Sequence, residues 1–313
     1  MSLMDLHCVQ IHCTADDTAV KIGGITKQAI KVETEAKGEA VSGAVHPKLA
    51  SIYSQKPTAS FTSYALTSVL NRVTQIGSLI DADETHPGVT LYGQVYAAGG
   101  HRATGSSHRS YNIKRGVIVP KTLSCEHRGD ATIDCDILAT YDGTNAPVIP
   151  ADSQALPESV TDPGRWTLYS LQLGDVTLGS WRNLEIDFGM EVESEGYGSE
   201  PFDRLLRIVR IEPKLTVRGI DPAWFAAADA VDLDGLSGTH ANCSIKLAHR
   251  ATGGKFVAVG TETHITCTCA GVLFVDDIQD VEHGGAAEVS LGMQLYHDGT
   301  NNPFVFATTA ALT

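Results

Sequence analysis

Apolar and polar residues alternate one by one along much of this chain. Ile30 and Val32 alternate with Lys31 and Glu33, and residues 187–193 repeat the same alternation. Because successive side chains of a strand point to opposite faces, this period predicts strands with one buried and one solvated face. Further strands are predicted from β-branched runs between turn residues, at 117–119, 205–211, 215–217, 255–259, 264–269 and 271–275.

Only two segments have helical character. Residues 62–73 place Leu66 and Val69 on one helical face, and Ser63 precedes them as a candidate cap. Residues 221–228 begin with Asp-Pro, a favourable helix start. Many short strands with few helices predict an all-β protein, built from β-sandwich or barrel domains with one short helix each.

Short sequence motifs occur twice, in the same order. His-Arg-Ala-Thr-Gly at 101–105 returns at 249–253, Glu-His at 126–127 returns at 282–283, and Asp-Gly-Thr-Asn at 142–145 returns at 298–301. A fainter match relates residues 31–35 to 191–195, displaced by 160 positions. Three collinear matches predict that the chain is a tandem duplication.

The repeat divides the chain into two modules. The first is predicted to span residues 1–150 and the second residues 165–313, with the proline-rich residues 151–164 as an extended linker. A chain of 313 residues agrees with two domains. Each would be large enough to bury a core without disulfides or metal.

Composition narrows the classes of function. The chain has 23 Lys plus Arg against 37 Asp plus Glu, for a net charge of −14, which disfavours tight binding of nucleic acid. No apolar run is long enough to predict a membrane span, and the first residues lack the pattern of a secretory signal. Seven cysteines without a Cys-x-x-Cys pair predict free thiols and intracellular synthesis.

The candidate chemical groups do not form a recognisable catalytic or metal-binding motif. His264 is separated from Cys267 and Cys269 by odd numbers of positions, which predicts that the histidine and the two thiols point to opposite faces of one strand. The two thiols are predicted to be small buried side chains. Cys8 and Cys13 have neighbouring histidines, but their spacing matches no standard zinc pattern. Because nucleophile-elbow, phosphate-loop and dinucleotide motifs are also missing, the sequence predicts no enzyme, no metal and no cofactor.

The order of predicted elements resembles a known family. An alternating strand with acidic residues and a Gly-rich turn occupies residues 189–201, a strand ending in proline occupies 205–213, and an apolar strand and short helix occupy 215–225. This order is similar to that of the major tail tube proteins of long-tailed, siphovirus-type bacteriophages. The resemblance covers about residues 20–75 and 180–230.

The resemblance implies a structural protein of the virion. Such proteins have a β-sandwich core and one helix, their inner sheets join across subunits, and six tube domains make one ring. A chain with two tube domains would then close a ring as a trimer with pseudo-sixfold symmetry. The implied partners are further copies of the chain and other tail proteins (tape measure, terminator and distal tail), with double-stranded DNA passing through without specific binding, and no membrane.

Acidic strand faces are the candidate lining of such a tube. The residues expected to face the lumen are Glu33, Glu35, Glu191, Glu193 and Glu195. The alternation predicts that Ile30, Val32, Met190 and Val192 are buried on the opposite face. A like-charged wall would let DNA slide past, whereas the alternative is an ordinary solvated outer face.

Two tips between strands are candidate contacts with a neighbouring subunit or ring, because loops can make such contacts without disturbing a core. The candidate residues are Val41, His46, Lys48 and Tyr53 in the first tip, and Tyr197, Phe202 and Arg204 in the second.

Other functions for a tandem β-sandwich remain open at this point. It could bind a receptor or a carbohydrate, or act as a distal tail (tail-tip) or decorating protein. A binding module favours exposed aromatic residues on loops, but aromatic residues make up 6% of this chain, and its three Trp lie in or beside predicted elements. The tube protein is therefore the leading hypothesis.

Overall fold

The chain folds almost entirely into antiparallel strands. A computed structural model describes residues 4–13, 18–40, 43, 45–73, 77–83, 86–97, 103, 105–160, 164–173, 176–220, 239–251, 253–280, 288–297, 299 and 302–312. The first half contains β1 (Met4–His12), β2 (Val20–Ile22), β3 (Ile25–Glu39), β4 (Leu49–Ser63), α1 (Leu66–Leu70), β5 (Ser78–Asp81), β6 (Gly88–Val95), β7 (His108–Ile113), β8 (Arg115–Glu126), β9 (Thr132–Ala139) and β10 (Ile149–Gln154). The second half contains β11 (Arg165–Leu173), β12 (Val176–Leu178), β13 (Trp181–Asp187), β14 (Met190–Glu195), β15 (Leu205–Ile211), β16 (Lys214–Gly219), β17 (Thr239–Arg250), β18 (His264–Asp280), β19 (Glu288–Leu295) and β20 (Phe304–Ala310). The predicted all-β class is confirmed.

Two sheets enclose the core of the first half. One has the strand order β10-β7-β6-β1-β2, and the other has β8-β9-β4-β3 with β5 paired to β8. Val9 and Leu91 of the first sheet belong to the same buried cluster as Phe61 and Ile133 of the second. Burial of apolar side chains between the sheets is the main source of stability in such a layered fold.

The second half repeats these pairings. Its outer sheet has the order β20-β18-β17-β11-β12, and its other sheet has β18-β19-β16-β13. The long strand β18 takes part in both sheets, in the place of the separate strands β7 and β8 of the first half. The described strands do not close into a barrel.

Strand register relates the two halves residue by residue. Phe61 pairs with Cys135, and Val217 pairs with Leu291. Both partners are displaced by the same number of positions, because 217 − 61 and 291 − 135 are both 156. Equal displacement of both partners in a pair is the pattern expected of a tandem duplication.

A shared β-bulge corrects the fainter sequence match. The first half has a register shift between Glu35 and Ala36, and the second has one between Glu191 and Val192. Bulges are specific local features, so their recurrence aligns Glu35 with Glu191. The predicted displacement of 160 positions for this segment was wrong, because a repeated Glu-x-Glu spacing can be matched in more than one register.

Two buried histidines also occupy equivalent places. The Val95 N–H donates to Nδ1 of His108 over 3.0 Å, and the His249 N–H donates to Nδ1 of His264 over 2.9 Å. His249 is therefore the counterpart of Val95 in the strand register. The motif match between His101 and His249 does not follow this register, and His101 itself lies outside the described residues.

The first predicted helix is present but short. It spans only Leu66–Leu70, because Ser63 is still paired with Ile133 as the last residue of β4. The Ser63 hydroxyl accepts the Ala65 N–H over 2.9 Å and donates to the Gly23 carbonyl. The predicted helix at 221–228 lies outside the described residues.

Part of the predicted linker is a strand. β10 pairs with β7, so the first half extends beyond Pro150, and only the following residues connect the halves. Pro150 is tolerated because β10 is an edge strand. The predicted strand at 255–259 is reduced to a single bridge between Arg250 and Phe256.

Candidate functional site

The two halves are joined edge to edge by an internal junction. β13 pairs with β8 in antiparallel orientation, with Leu184 opposite Cys125 and Ile186 opposite Leu123. All four side chains are buried, so the apolar face continues across the junction. The result is one sheet with the order β18-β19-β16-β13-β8-β9-β4-β3, in which each half contributes four strands.

The two outer strands of this continuous sheet are the counterparts, in the duplication, of the two strands that pair at its internal junction. β3, at one end, is the counterpart of β13, and the C-terminal part of β18, at the other end, is the counterpart of β8. In the strand pairings of the described residues, β3 pairs only with β4 and residues 274–280 only with β19. Both outer edges are therefore available for pairing.

The two outer edges differ in charge over the segments that correspond to the internal junction, which are residues 27–31 of β3 and residues 276–280 of β18. β3 has Lys27 and Lys31 on its edge segment, and both are exposed. The corresponding segment of β18 contains Asp276, Asp277 and Asp280. At the internal junction, by contrast, Glu185 lies opposite Ser124 and Asp187 opposite Thr122, so that junction has no such charge complementarity.

The face of the continuous sheet that points away from the core is polar. Asp136 of β9 forms an ion pair with Lys121 of β8 over 3.0 Å, and Asp276 of β18 forms one with Lys214 of β16 over 3.3 Å. The hydrogen bond to Asp136 raises the pKa of Lys121. Lys121 and Lys214 of this face are thus paired with carboxylates, whereas Lys31 is exposed at its β3 edge.

The predicted lumen residues are exposed on two antiparallel ribbons. The first ribbon is formed by β3 and β4, and the second by β14 and β15. Glu33 and Glu35 lie on β3 beyond Lys31, which is opposite Thr58, so they extend the polar face. Glu191 and Glu193 of β14 form ion pairs with arginines of β15, and Glu195 follows on the same face of β14. Whether these glutamates line a channel stays a prediction.

The predicted burial of Val32 was wrong. Its side chain is 50% exposed, and the residues that follow it in β3 are exposed on both faces. The sheet β10-β7-β6-β1-β2 covers only the first part of β3, so alternation in the rest of the strand does not correspond to a buried face. Ile30, Met190 and Val192 are partly buried.

The tip of the second ribbon, residues 196–204, lies against the first half of the same chain. The Gln55 N–H donates to the Pro201 carbonyl over 2.7 Å, and the Tyr141 N–H donates to the Asp203 carbonyl over 2.9 Å. The Phe202 ring stacks on the Tyr141 ring, with centroids 6.1 Å apart. We call this tip the second tip.

Charged groups reinforce the same contact. The Arg204 guanidinium lies over the rings of Tyr141 and Tyr197, 4.8 and 5.2 Å from their centroids. Lys56 forms an ion pair with Asp203 over 3.5 Å. Tyr197, Phe202 and Arg204, predicted as contacts with a neighbouring subunit, thus contribute to a contact between the halves, and their role toward a neighbour stays a prediction.

The first ribbon ends in a tip of equal length, residues 40–48, which we call the first tip. The Lys48 N–H donates to the Glu39 carbonyl over 2.9 Å, as the Arg204 N–H donates to the Glu195 carbonyl over 3.0 Å. Val45 is 93% exposed, and His46 is exposed beside it.

Below the first tip, the Lys37 ammonium lies 5.0 Å from the centroid of the Tyr53 ring. The Tyr53 hydroxyl donates to Glu39 over 3.1 Å. Val41 lies outside the described residues, so the structure does not place it.

The thiols are buried, and those of Cys243 and Cys267 both lie within hydrogen-bonding reach of Cys269. All seven cysteines are free and buried, and burial raises the pKa of Cys8 to about 12 and that of Cys125 to about 11.

His264 and the two thiols of β18 are all buried, and the pairing of β18 with β17 runs without a register shift, so His264 lies on the face of the strand opposite Cys267 and Cys269, as predicted. The irregularity opposite His264 has its extra residue in β20. Within the described ranges, no three His, Cys, Asp or Glu side chains are grouped as metal ligands would be.

The described part of the chain contains no helix that is long and apolar enough to cross a membrane. Comparison with models of known protein families gave no match, and neither did comparison with curated proteins.

The sequence pattern missed the junction and the edges. The sequence feature that marks an exposed sheet edge is a charged residue within an otherwise ordinary strand, as at Lys27 and Lys31 of β3. Natural sheets often place lysine on edge strands to prevent unwanted pairing. Such residues could have been found only after the strand order was known.

Proposed function

We propose that this protein is a structural protein of a phage virion. Three chains assemble head to tail into a closed ring, and the rings stack into a tail tube that conducts double-stranded DNA during ejection. Other tail proteins cap and fill the tube. The resemblance of the strand order to tail tube proteins and the architecture of the continuous sheet support this proposal.

The internal junction between β13 and β8 is the observation that carries the proposal. At the internal junction β13 of one half pairs with β8 of the other. The outer edges of the chain are formed by β3 and β18, which are the counterparts of β13 and β8, so a second chain can repeat the same pairing. Repeating the junction register between chains places Lys31 opposite Asp277 and Ala29 opposite Asp280 of the next chain. An opposite-charge pair across antiparallel strands contributes about 0.2–1 kcal/mol.

A head-to-tail contact of this kind closes into a ring or continues as a filament. Closure protects both edges of the continuous sheet, whereas an isolated chain leaves these two edges open to unwanted pairing. With two quasi-equivalent halves per chain, three chains give a ring of six, which is the number that the tube resemblance implies.

The polar face of the continuous sheet supports the role of a conduit. In such a ring it would surround the lumen, with Glu33 and Glu35 on its wall, and we place Glu191, Glu193 and Glu195 of the separate sheet β14-β15 along the same lumen. DNA binding to proteins is driven by release of counterions when cations contact phosphates. Lys121 and Lys214 of this wall are already paired with aspartates. Lys31 would lie opposite Asp277 of the next chain, so the wall offers few such contacts and DNA can slide.

The test is the mass and shape of the assembled protein. Native mass spectrometry is expected to give three times the 33.3 kDa chain mass, and negative-stain microscopy is expected to show rings or tubes with a central hole. Rings of six chains, or a chain that remains a bilobed monomer at every concentration, would sink the proposal.

A further inference from the structure

We propose that a cleft on the second half binds the first tip of another copy of this chain. The inference rests on the proposed function, because the other copy is the neighbour in the ring. It assigns a specific docking site to residues 45–48, beyond the pairing of sheet edges.

The contact of the second tip with the first half is the template. Both tips follow paired residues displaced by 156 positions, since Glu39 pairs with Leu49 and Glu195 with Leu205. In this register Pro201 of the second tip corresponds to Val45. Its hydrogen-bond partner, Gln55, corresponds to Ile211 of the second half.

A cleft lies where the register places the counterpart of this contact. It has a volume of about 130 Å³ and an apolar lining that includes Phe188, Ile211, Pro213, Tyr296, Pro303 and Phe304. The rings of Phe188 and Phe304 form its base, with centroids 5.3 Å apart. Ile211 is 37% exposed at its edge.

The first tip is apolar where the cleft is apolar. Val45 and Pro47 stand in the places of Pro201 and Asp203, so the part of the tip that enters the contact has lost its carboxylate. Val45 is the most exposed large apolar residue described in the chain. Docking would remove it from water together with Ile211.

Charge selects which tip fits which cleft. In the first half, Lys56 pairs with Asp203 of the acidic second tip. In the second half, the counterpart of Lys56 is Glu212, which would face His46 and Lys48 of the first tip. Since Glu212 stands in the place of Lys56, the second tip would bring its Asp203 against a carboxylate in this cleft, whereas the first tip has the uncharged Pro47 at that place. This difference disfavours the wrong combination, as expected where two similar contacts must be kept distinct.

The docking and the sheet pairing engage the same neighbour. The second tip reaches the half whose β8 borders its own β13. By the same relation, the first tip reaches the half whose β18 would border its own β3, which is the second half of the next chain. One copy can therefore make both contacts at once.

Crosslinking between separate chains tests the contact. One chain receives Val45→Cys and another Ile211→Cys, and both positions are exposed, whereas the native cysteines are buried. After mixing, a short bismaleimide is expected to give a covalent dimer. The matched control joins Pro201→Cys to Gln55→Cys within one chain, and its product should keep the mass of a monomer.

A second variant measures the strength of the contact. Val45→Asp is expected to weaken association at least tenfold in sedimentation, whereas Val259→Asp, at another exposed valine, should leave it unchanged. Three-chain rings that show no Val45–Ile211 crosslink and tolerate Val45→Asp would overturn the inference but keep the proposed function. A chain that never associates would overturn both.

Discussion

The two ribbons of this protein have the same length and register but different shapes. In the first half, β3 and β4 run as an unbroken ribbon of 15 residues each. In the second half the same length of chain is broken after Asp187 and before Lys214, so that β14 and β15 form a separate two-stranded sheet. The broken ribbon reaches the other half of its own chain, and the unbroken one leaves its tip exposed.

A single glycine accounts for much of this difference. Gly189 has a φ of +59°, and a Cβ atom there would lie 1.9 Å from the Glu212 carbonyl oxygen. Its counterpart in the unbroken ribbon is Glu33, which pairs with Lys56 as an ordinary strand residue. The break of the second ribbon thus coincides with a glycine in the left-handed conformation, which most other residues adopt only with strain.

Changing this glycine should have the largest effect on stability. Gly189→Ala is expected to lower the free energy of unfolding by about 2–4 kcal/mol, because the backbone must shift to relieve the contact with Glu212. Urea denaturation measures the loss. The matched control is Glu33→Gly, for which about 0.5–1 kcal/mol is expected. Equal losses at the two positions would contradict the role assigned to the break.

Reversing the charge on the β3 edge should affect association next. Lys31→Asp is expected to raise the dissociation constant of the ring about tenfold or more, because it places like charges opposite each other in the proposed register. Analytical ultracentrifugation measures this change. Adding Asp277→Lys to the same chain should restore assembly, and a failure to do so would argue against the register.

The cationic side chain of the second tip should contribute less. Arg204→Ala removes two cation–π contacts and an ion pair with Glu200, so a loss of about 1–2 kcal/mol in the free energy of unfolding is expected. Lys48→Ala, at the equivalent place in the first tip, should change it by less than about 0.5 kcal/mol. The comparison fails if Lys48 is as important as Arg204 in the isolated chain.

The glutamates of the two ribbons should matter least for folding and most for DNA. Replacing Glu33, Glu35, Glu191, Glu193 and Glu195 with Lys is expected to leave assembly largely intact, because exposed charges contribute little to stability. The variant tubes should retain DNA in a salt-dependent way and slow its ejection. Unchanged DNA retention by these tubes would refute a channel lining.

Alternation and β-branched runs were enough to predict several of the strands and the all-β class, although the segment predicted as a strand at 255–259 forms only an isolated bridge. The Asp-Gly-Thr-Asn match at 142–145 and 298–301 gave the displacement of 156 that the strand pairings follow. Local pattern could not predict where alternation ceases to mean burial, as at Val32, because that depends on how far the covering sheet extends. It also could not predict that β18 stays continuous where β7 and β8 are separate.

The candidate surfaces were less accessible to sequence. The exposed glutamates were predicted from alternation and the tips from turn composition. The junction between β13 and β8 was not predicted, because the pairing partner of a strand depends on the order of the whole sheet. Phe202 is an example. Its position in a Gly-rich tip predicts that it makes a contact, but the sequence does not indicate whether the partner belongs to the same chain or to another copy. Ile211 belongs to a run of apolar residues and gives no sign of the cleft beside it.

The internal junction between β13 and β8 has a consequence for how assembly responds to dilution. A contact within one chain forms without the loss of translational and rotational freedom that separate molecules must give up. In a ring of three such chains, half of the sheet junctions are therefore insensitive to concentration. Assembly then depends on a single kind of bimolecular encounter, and one surface, the edge of β3 with its tip, determines when the ring closes.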